Sequence, residues 1–152
     1  MSDITLGLAT GDDDATREAA GVWARARAHR DGGEVDVKRA HGRVRGRLLM
    51  AGAQLVVALD GADVVGFAVT VPQDDDGEVF FLAVDPSAQG RGVGARLLAA
   101  AEALAGRTSL RLWVIEDNAP AIGLCEAAGW VRTHETQGRE DGRTEVRYRK
   151  QV

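Results

Sequence analysis

Apolar positions along the 152-residue chain change their period several times, and each change marks an element. Residues 4–10, ITLGLAT, alternate, which predicts a first strand closed by Gly11. Over residues 15–30 the spacing becomes helical. Ala19, Val22, Trp23 and Ala26 share one face, and the acidic run at 12–14 suits the positive end of a helix. RDGGE breaks it. A second helix is predicted over about 36–50 through Val37, Ala40, Val44 and Leu48; Gly42 and Gly46 weaken it, so an irregular, mobile segment is the alternative.

From residue 54 the period is two. QLVVALD and DVVGFAVTV flank Gly61-Ala62, a hairpin signal, and DDDG turns the chain into a third strand over 78–85. Strand alternation there puts Glu78 on the same face as Phe80, Leu82 and Val84. Val93, Leu97, Leu98, Ala101 and Leu104 then predict a helix that stops at Gly106. SLRLWVI, 109–115, reads as a buried strand. Asn118 caps a short helix with Pro120 in its first turn and Gly129 at its end. WVRTHET and RTEVRYRKQV close the chain as a hairpin around GREDG. The order β-α-α-β-β-β-α-β-α-β-β is that of an α/β domain with a mixed sheet.

Composition narrows the class. Hydrophobic residues at 45% and charged residues at 28% suit a soluble globular protein, and no apolar run reaches the length of a membrane span. The opening MSDITLGLATGDDD lacks a basic stretch followed by an apolar one, so no signal peptide is expected. One cysteine, Cys125, fits a reducing cytoplasm. A formal net charge of −4 argues against nucleic acid as partner. The basic stretch KRAHGRVRGR, 38–47, is either a solvated helix face or a wall beside a site for an anionic ligand. If Arg39, Arg43, Arg45 and Arg47 face a pocket, an acceptor with a carboxylate or phosphate is favoured. The acidic runs 12–14 and 74–76 read as a helix start and a hairpin loop. His29, His41 and His134 lack metal-ligand spacing, so no metal is assigned; Trp23, Trp113 and Trp130 read as core or pocket lining.

The chemistry starts from SAQGRGVGARLL, 87–98. A helix N-terminus offers unpaired backbone N–H groups and partial positive charge, and glycines ahead of it let a phosphate approach. Gly90, Gly92 and Gly94 make such a cradle, with Gln89 and Arg91 as added donors; the plainer reading is a tight turn needing positive φ. GRGVGA also fits the dinucleotide fingerprint, with Glu116 as the ribose acid. Against that, DPSAQ separates the glycines from their strand and three hairpin-type strands precede them.

Val84-Asp85-Pro86, followed by Gln89-Gly90-Arg91-Gly92-Val93-Gly94-Ala95-Arg96-Leu97-Leu98, resembles the acetyl-CoA-binding motif of the GNAT superfamily of N-acetyltransferases. The pattern [Q/R]-x-x-G-x-[G/A] is complete in Gln89, Gly92 and Gly94. LRLWVIEDNAPAIGLCEAAGWV resembles the family's second half, through Asn118, Ala121, Leu124, Glu126, Gly129 and Trp130. The resemblance covers nearly the whole chain. It implies one GNAT-like domain over 1–152, with a mixed, mostly antiparallel sheet of six to seven strands flanked by about four helices.

It also implies acetyl-CoA as donor, its pyrophosphate on the turn of Gln89, Gly90, Arg91, Gly92, Val93, Gly94 and Ala95. The pantetheine arm would pair with the backbone of Leu82, Ala83 and Val84 and touch Asn118. A backbone N–H there would polarise the thioester carbonyl. A primary amine, of a small molecule or a protein, would attack the thioester directly, and a homodimer is common in such proteins. Deprotonating a lysine-like amine at pH 7 costs about 4.6 kcal/mol, against about 1 for an α-amine and about 2 for ionising the leaving thiol. The base therefore matters more than the acid. Glu78 is the candidate base, where the family often carries a glutamate; otherwise it is a surface residue of a hairpin. Cys125 stands where the family most often has a tyrosine acting as general acid. It is either a thiol donor or a small buried hydrophobe. A CoA-binding regulatory module without turnover is the alternative function, and a nucleotide-binding oxidoreductase fragment a third.

Overall fold

The computed structural model describes residues 3–152. Its elements run β1 (Ile4–Ala9), α1 (Asp13–Asp31), α2 (Val37–Leu48), β2 (Gln54–Asp60), β3 (Asp63–Gln73), β4 (Asp76–Val84), a 3-10 turn at Pro86–Ala88, α3 (Val93–Leu104), β5 (Ser109–Ile115), α4 (Ala119–Ala127), β6 (Val131–Gly138) and β7 (Thr144–Gln151). The strands form one sheet in the order β1-β2-β3-β4-β5-β7-β6, antiparallel except at β4–β5. The expected mixed sheet flanked by four α-helices is thus present.

Helix ends follow their predicted chemistry. Asp12 accepts from the Ala15 N–H at 2.8 Å and opens α1; Asp36 accepts from the Arg39 N–H at 3.0 Å and opens α2. The irregular alternative for α2 is overturned: the segment is a regular helix. Ala40 and Val44 are buried, so packing offsets the propensity lost at Gly42 and Gly46, which face open space.

The sheet carries a core on each face. On one side α3 and α4 pack on Val56, Ala68, Val79, Leu112 and Val146; on the other α1 and α2 pack on Leu55, Val57, Phe67, Val69 and Val71. Gly66 in β3 lets α3 approach: a Cβ there would stand 2.9 Å from Leu97 Cδ1 and 3.2 Å from the Ala83 carbonyl.

Two expectations for β4 are corrected. The acidic run at 74–76 is not all loop. β3 reaches Gln73 and β4 begins at Asp76, whose carboxylate accepts from Arg111 and Arg149, each at 3.4 Å. Nor do Glu78, Phe80, Leu82 and Val84 share a face. Val69 pairs with Phe81 and the next residue, Thr70, with Val79, so Phe80 is the extra residue of a bulge. Phe80 and Phe81 both pack on the α1/α2 side, and alternation resumes with Leu82 and Val84 on the α3/α4 side.

Candidate active site

After β4 the chain is pinned before it turns. The Asp85 N–H donates to the Val65 carbonyl at 2.7 Å, and its carboxylate accepts from the Ser87 N–H and hydroxyl and from Arg25 Nε at 2.7 Å. Burial pushes that carboxyl upward, but the Ser87 amide and Arg25 outweigh it and hold it below the usual range. Gly90 and Gly92 follow with φ of 81° and 74°, a region costly for other residues. Gly92 is the N-cap of α3 and makes no side-chain cap, so the first amides of the helix lack a capping side chain. A Cβ on Gly90 or Gly92 would meet nothing within 4 Å. An open, uncapped, positively polarised helix end fits a pyrophosphate. Gly94 serves differently. Its Cβ would lie 3.3 Å from Leu124 Cδ2 and 3.7 Å from Val84 Cγ2, so this glycine brings α3 close to α4 and β4. Gln89, Gly90, Arg91 and Ala95 are exposed, Val93 is buried by its side chain, and Arg91 also reaches Asp60 at 3.2 Å.

β4 and β5 pair only where Asp76, Gly77 and Glu78 meet Ser109, Leu110 and Arg111. Beyond that the strands part, and a cleft of about 450 Å³ opens between them. Leu82, Ala83 and Val84 pair with Ala68, Phe67 and Gly66 of β3, and among the described residues their other edge has no strand partner. Cleft residues from the α3/α4 side are Leu82, Leu112, Leu124 and Cys125; from the opposite side come Trp23, Phe80 and Phe81, and Asn118 and Trp113 also line the opening. The opening therefore joins the two faces of the sheet. Asn118 caps α4 by accepting from the Ala121 N–H at 3.4 Å.

Glu78 is buried at 3% exposure, which rules out the surface reading. Its Oε1 accepts from Arg111 Nε at 2.7 Å and Arg147 Nη1 at 3.5 Å. Arg147 lies over the Trp113 ring at 4.1 Å; its Nε is 3.1 Å from the Glu135 carboxylate but outside hydrogen-bonding geometry. Cys125 is buried, and its thiol is pushed up to about 11, first by burial and then by the Glu126 charge. Tyr148 does not replace the absent tyrosine: it lies in the core and its hydroxyl donates to Glu126 at 3.1 Å.

Of the basic stretch, Arg43 and Arg47 line the cleft and Arg39 borders a neighbouring hollow, while exposed Arg45 lines neither. Trp23 and Trp113 line the cleft; Trp130 belongs to the core, where its Nε1 has no hydrogen-bond partner among the described residues. Sequence reasoning missed Arg111 and Arg147, although they occupy the polar positions of alternating strands. It also missed Arg30 and Arg139, which no local pattern brings to the cleft. Among the described residues no group of three or more His, Cys, Asp or Glu could hold a metal ion.

Residues 22–130 match the profile described as the acetyltransferase (GNAT) family. A mycothiol acetyltransferase of Actinosynnema mirum is 40% identical over 82 residues, which is 51% of this chain and 28% of that protein. The chain thus matches little more than a quarter of that relative's length. A solved protein of Pyrococcus horikoshii OT3 shares 25% identity, with a TM-score of 0.82 over 99% of both chains. A Salmonella typhimurium protein solved with its cofactor acetyl-CoA shares 21% identity and the fold, with a TM-score of 0.75 over 99% of this chain and 94% of that one. No helix among the described residues is long and apolar enough to cross a membrane.

Proposed function

The chain belongs to the acetyltransferase (GNAT) family, and from that premise we propose that it transfers an acetyl group from acetyl-CoA to a primary amine by direct attack on the thioester. The observation that carries this is the uncapped N-terminus of α3 beside a cleft that opens along the free edge of β4. The donor, when bound, supplies an activated acyl group. The amides at Gly92, Val93, Gly94 and Ala95 bind its pyrophosphate, with Gln89, Gly90 and Arg91 around them. The backbone of Leu82, Ala83 and Val84 pairs with its arm, Asn118 flanks that arm, and one N–H of the free edge donates to the thioester carbonyl.

Glu78 holds the amine's proton through water. Both arginine contacts fall on Oε1, and Oε2 is the proposed acceptor. Cys125 stays a neutral thiol. With its thiol pushed up to about 11, Cys125 is a weaker acid than a leaving thiol of about 8.5, so the CoA thiolate departs without a proton from it and is protonated afterwards by bulk solvent at neutral pH. A homodimer and a cytoplasmic setting complete the reading, to be checked by sedimentation and by fractionation.

The test is thermal unfolding with acetyl-CoA, CoA and NAD, followed by CoA release with primary amines. A ligand at a hundredfold excess over Kd adds about 2.7 kcal/mol, or roughly 5–10 °C for a domain of this size. Shifts with acetyl-CoA and CoA but not NAD, and amine-dependent CoA release, are expected. No shift would sink the donor assignment. A shift without CoA release from any amine would leave only a binding module.

A further inference from the structure

The acceptor side of the cleft carries a charge opposite to that of the chain. Arg30, Arg43, Arg47 and Arg139 line the cleft against Glu78 and Glu145, in a protein whose formal net charge is −4. These arginines differ in how fully they are already paired. Arg30 is held by Asp31 at 2.9 Å, and Arg139 by Asp141 at 3.3 Å and Glu145 at 3.7 Å. Among the described residues Arg43 has only the loose reach of Glu140 at 3.9 Å, a residue almost wholly in solvent. Arg47 has no carboxylate within 4.0 Å among the described residues; its guanidinium lies over the Phe80 ring at 4.1 Å.

Arg43 and Arg47 are one turn apart on α2, so their side chains rise from the same face of the helix. Packing on Phe80 orients the Arg47 fork while the residue stays exposed, so the guanidinium is held yet open to an anion. Arg27, next to the cleft, is lowered from its ordinary value, first by burial and then by the nearby charges of Arg139, Arg43 and Arg39. Glu78 is already paired through Oε1 with two further arginines, Arg111 and Arg147, so the positive excess around the cleft remains.

We propose that Arg43 and Arg47 form the acceptor subsite for an anionic group, so that the substrate is a primary amine bearing a carboxylate or a phosphate at the end remote from the nitrogen. The inference rests on the acetyltransferase reading above. The same positive charge repels an ammonium and so favours the neutral amine that attacks. Polyamines and aminoglycosides, cationic at every nitrogen, are rejected by it. A guanidinium fork donates to either oxyanion in bidentate fashion, so the two sources are separated by experiment.

The test uses the full chain with acetyl-CoA and three short amines: β-alanine, 2-aminoethyl phosphate, which is one atom longer, and the neutral 3-aminopropanol, with spermidine as the cationic arm. CoA release is followed in wild type and in Arg43→Ala, Arg47→Ala and Arg45→Ala. Arg45→Ala removes the same charge from the same helix but outside the cleft. Expected is a KM for at least one anionic amine about tenfold or more below that of 3-aminopropanol. Arg43→Ala and Arg47→Ala reduce that preference to within about threefold, whereas Arg45→Ala keeps it. Whichever of β-alanine and 2-aminoethyl phosphate has the lower KM identifies the oxyanion. Equal or better use of 3-aminopropanol or spermidine would overturn the subsite, as would loss of preference in Arg45→Ala to the same degree. Thermal unfolding with acetyl-CoA runs alongside. A retained shift with no turnover of any anionic amine overturns this inference alone; absence of the shift overturns the acetyltransferase reading with it.

Discussion

At the scale of single residues, Glu78 and Cys125 carry opposite expectations. Glu78→Gln leaves Arg111 and Arg147 facing a neutral amide in a buried setting, where breaking an ion pair costs about 3–5 kcal/mol. A clear fall in melting temperature is therefore expected whatever the chemistry. The catalytic role is read separately. With a lysine-like acceptor kcat falls by about 10²–10⁴ while the KM for acetyl-CoA stays within about twofold. With an α-amine, already far easier to deprotonate, the loss shrinks towards tenfold. Equal losses for both amines would make Glu78 a structural residue. For Cys125→Ala the expected kcat stays within about threefold of wild type. Its thiol is raised to about 11 from an ordinary 9.0, so the unfolded chain ionises first as pH rises. Stability from the neutral buried thiol is complete below about pH 9 and lost progressively towards pH 11, by about 2–3 kcal/mol. Denaturant titrations of wild type and Cys125→Ala across that window measure it as the difference between their slopes.

At the scale of elements, periodicity together with cap and turn residues suffices for the element order, with α2 left open against an irregular segment. What it missed are places where one element is shaped by another. The bulge at Phe80 adds a residue without breaking the run EVFFLAV, so alternation counted from the sequence carries Leu82 and Val84 to the wrong face. α2 looked doubtful because propensity counts Gly42 and Gly46 but not the burial of Ala40 and Val44. Three glycine-to-alanine changes separate these effects. Gly42→Ala fills open space in a helix and should raise the melting temperature by about 1–4 °C. Gly66→Ala forces a Cβ against Leu97 and the Ala83 carbonyl; it should cost about 1–3 kcal/mol and weaken acetyl-CoA binding by shifting α3. Gly92→Ala strains a left-handed cap by about 1–2 kcal/mol and places a methyl in the proposed phosphate site. A calorimetric Kd for CoA should rise about tenfold in Gly92→Ala and stay unchanged in Gly42→Ala.

At the scale of the whole molecule, the cleft is a product of contacts far apart in sequence. The glycine turn was legible because one local segment carries it, and Asn118 and Cys125 because a second does. The arginines of the proposed acceptor side come from α1, α2 and the β6–β7 hairpin, and no local pattern brings them together. α1 ties these parts: Arg25 holds Asp85 at the start of the donor turn, and Asp31 accepts from Arg143 at 2.8 Å, fixing the hairpin that bears Arg139. Arg30 first and Arg143 with it, against the opposing effect of burial, hold the Asp31 carboxyl well below its ordinary 3.8. A depressed carboxyl contributes stability above the unfolded value and loses it as pH falls, so the Asp31 latch is intact at neutral pH and weakens below about pH 4. Asp31→Asn should therefore cost about 1–2 kcal/mol at pH 7, or roughly 2–8 °C, and the gap to wild type should narrow as pH drops below 4. If the latch positions the acceptor side, the variant's KM for the amine rises several-fold at neutral pH while its KM for acetyl-CoA holds. A parallel rise in both constants would instead mean that α1 braces the domain as a whole and not the acceptor wall in particular.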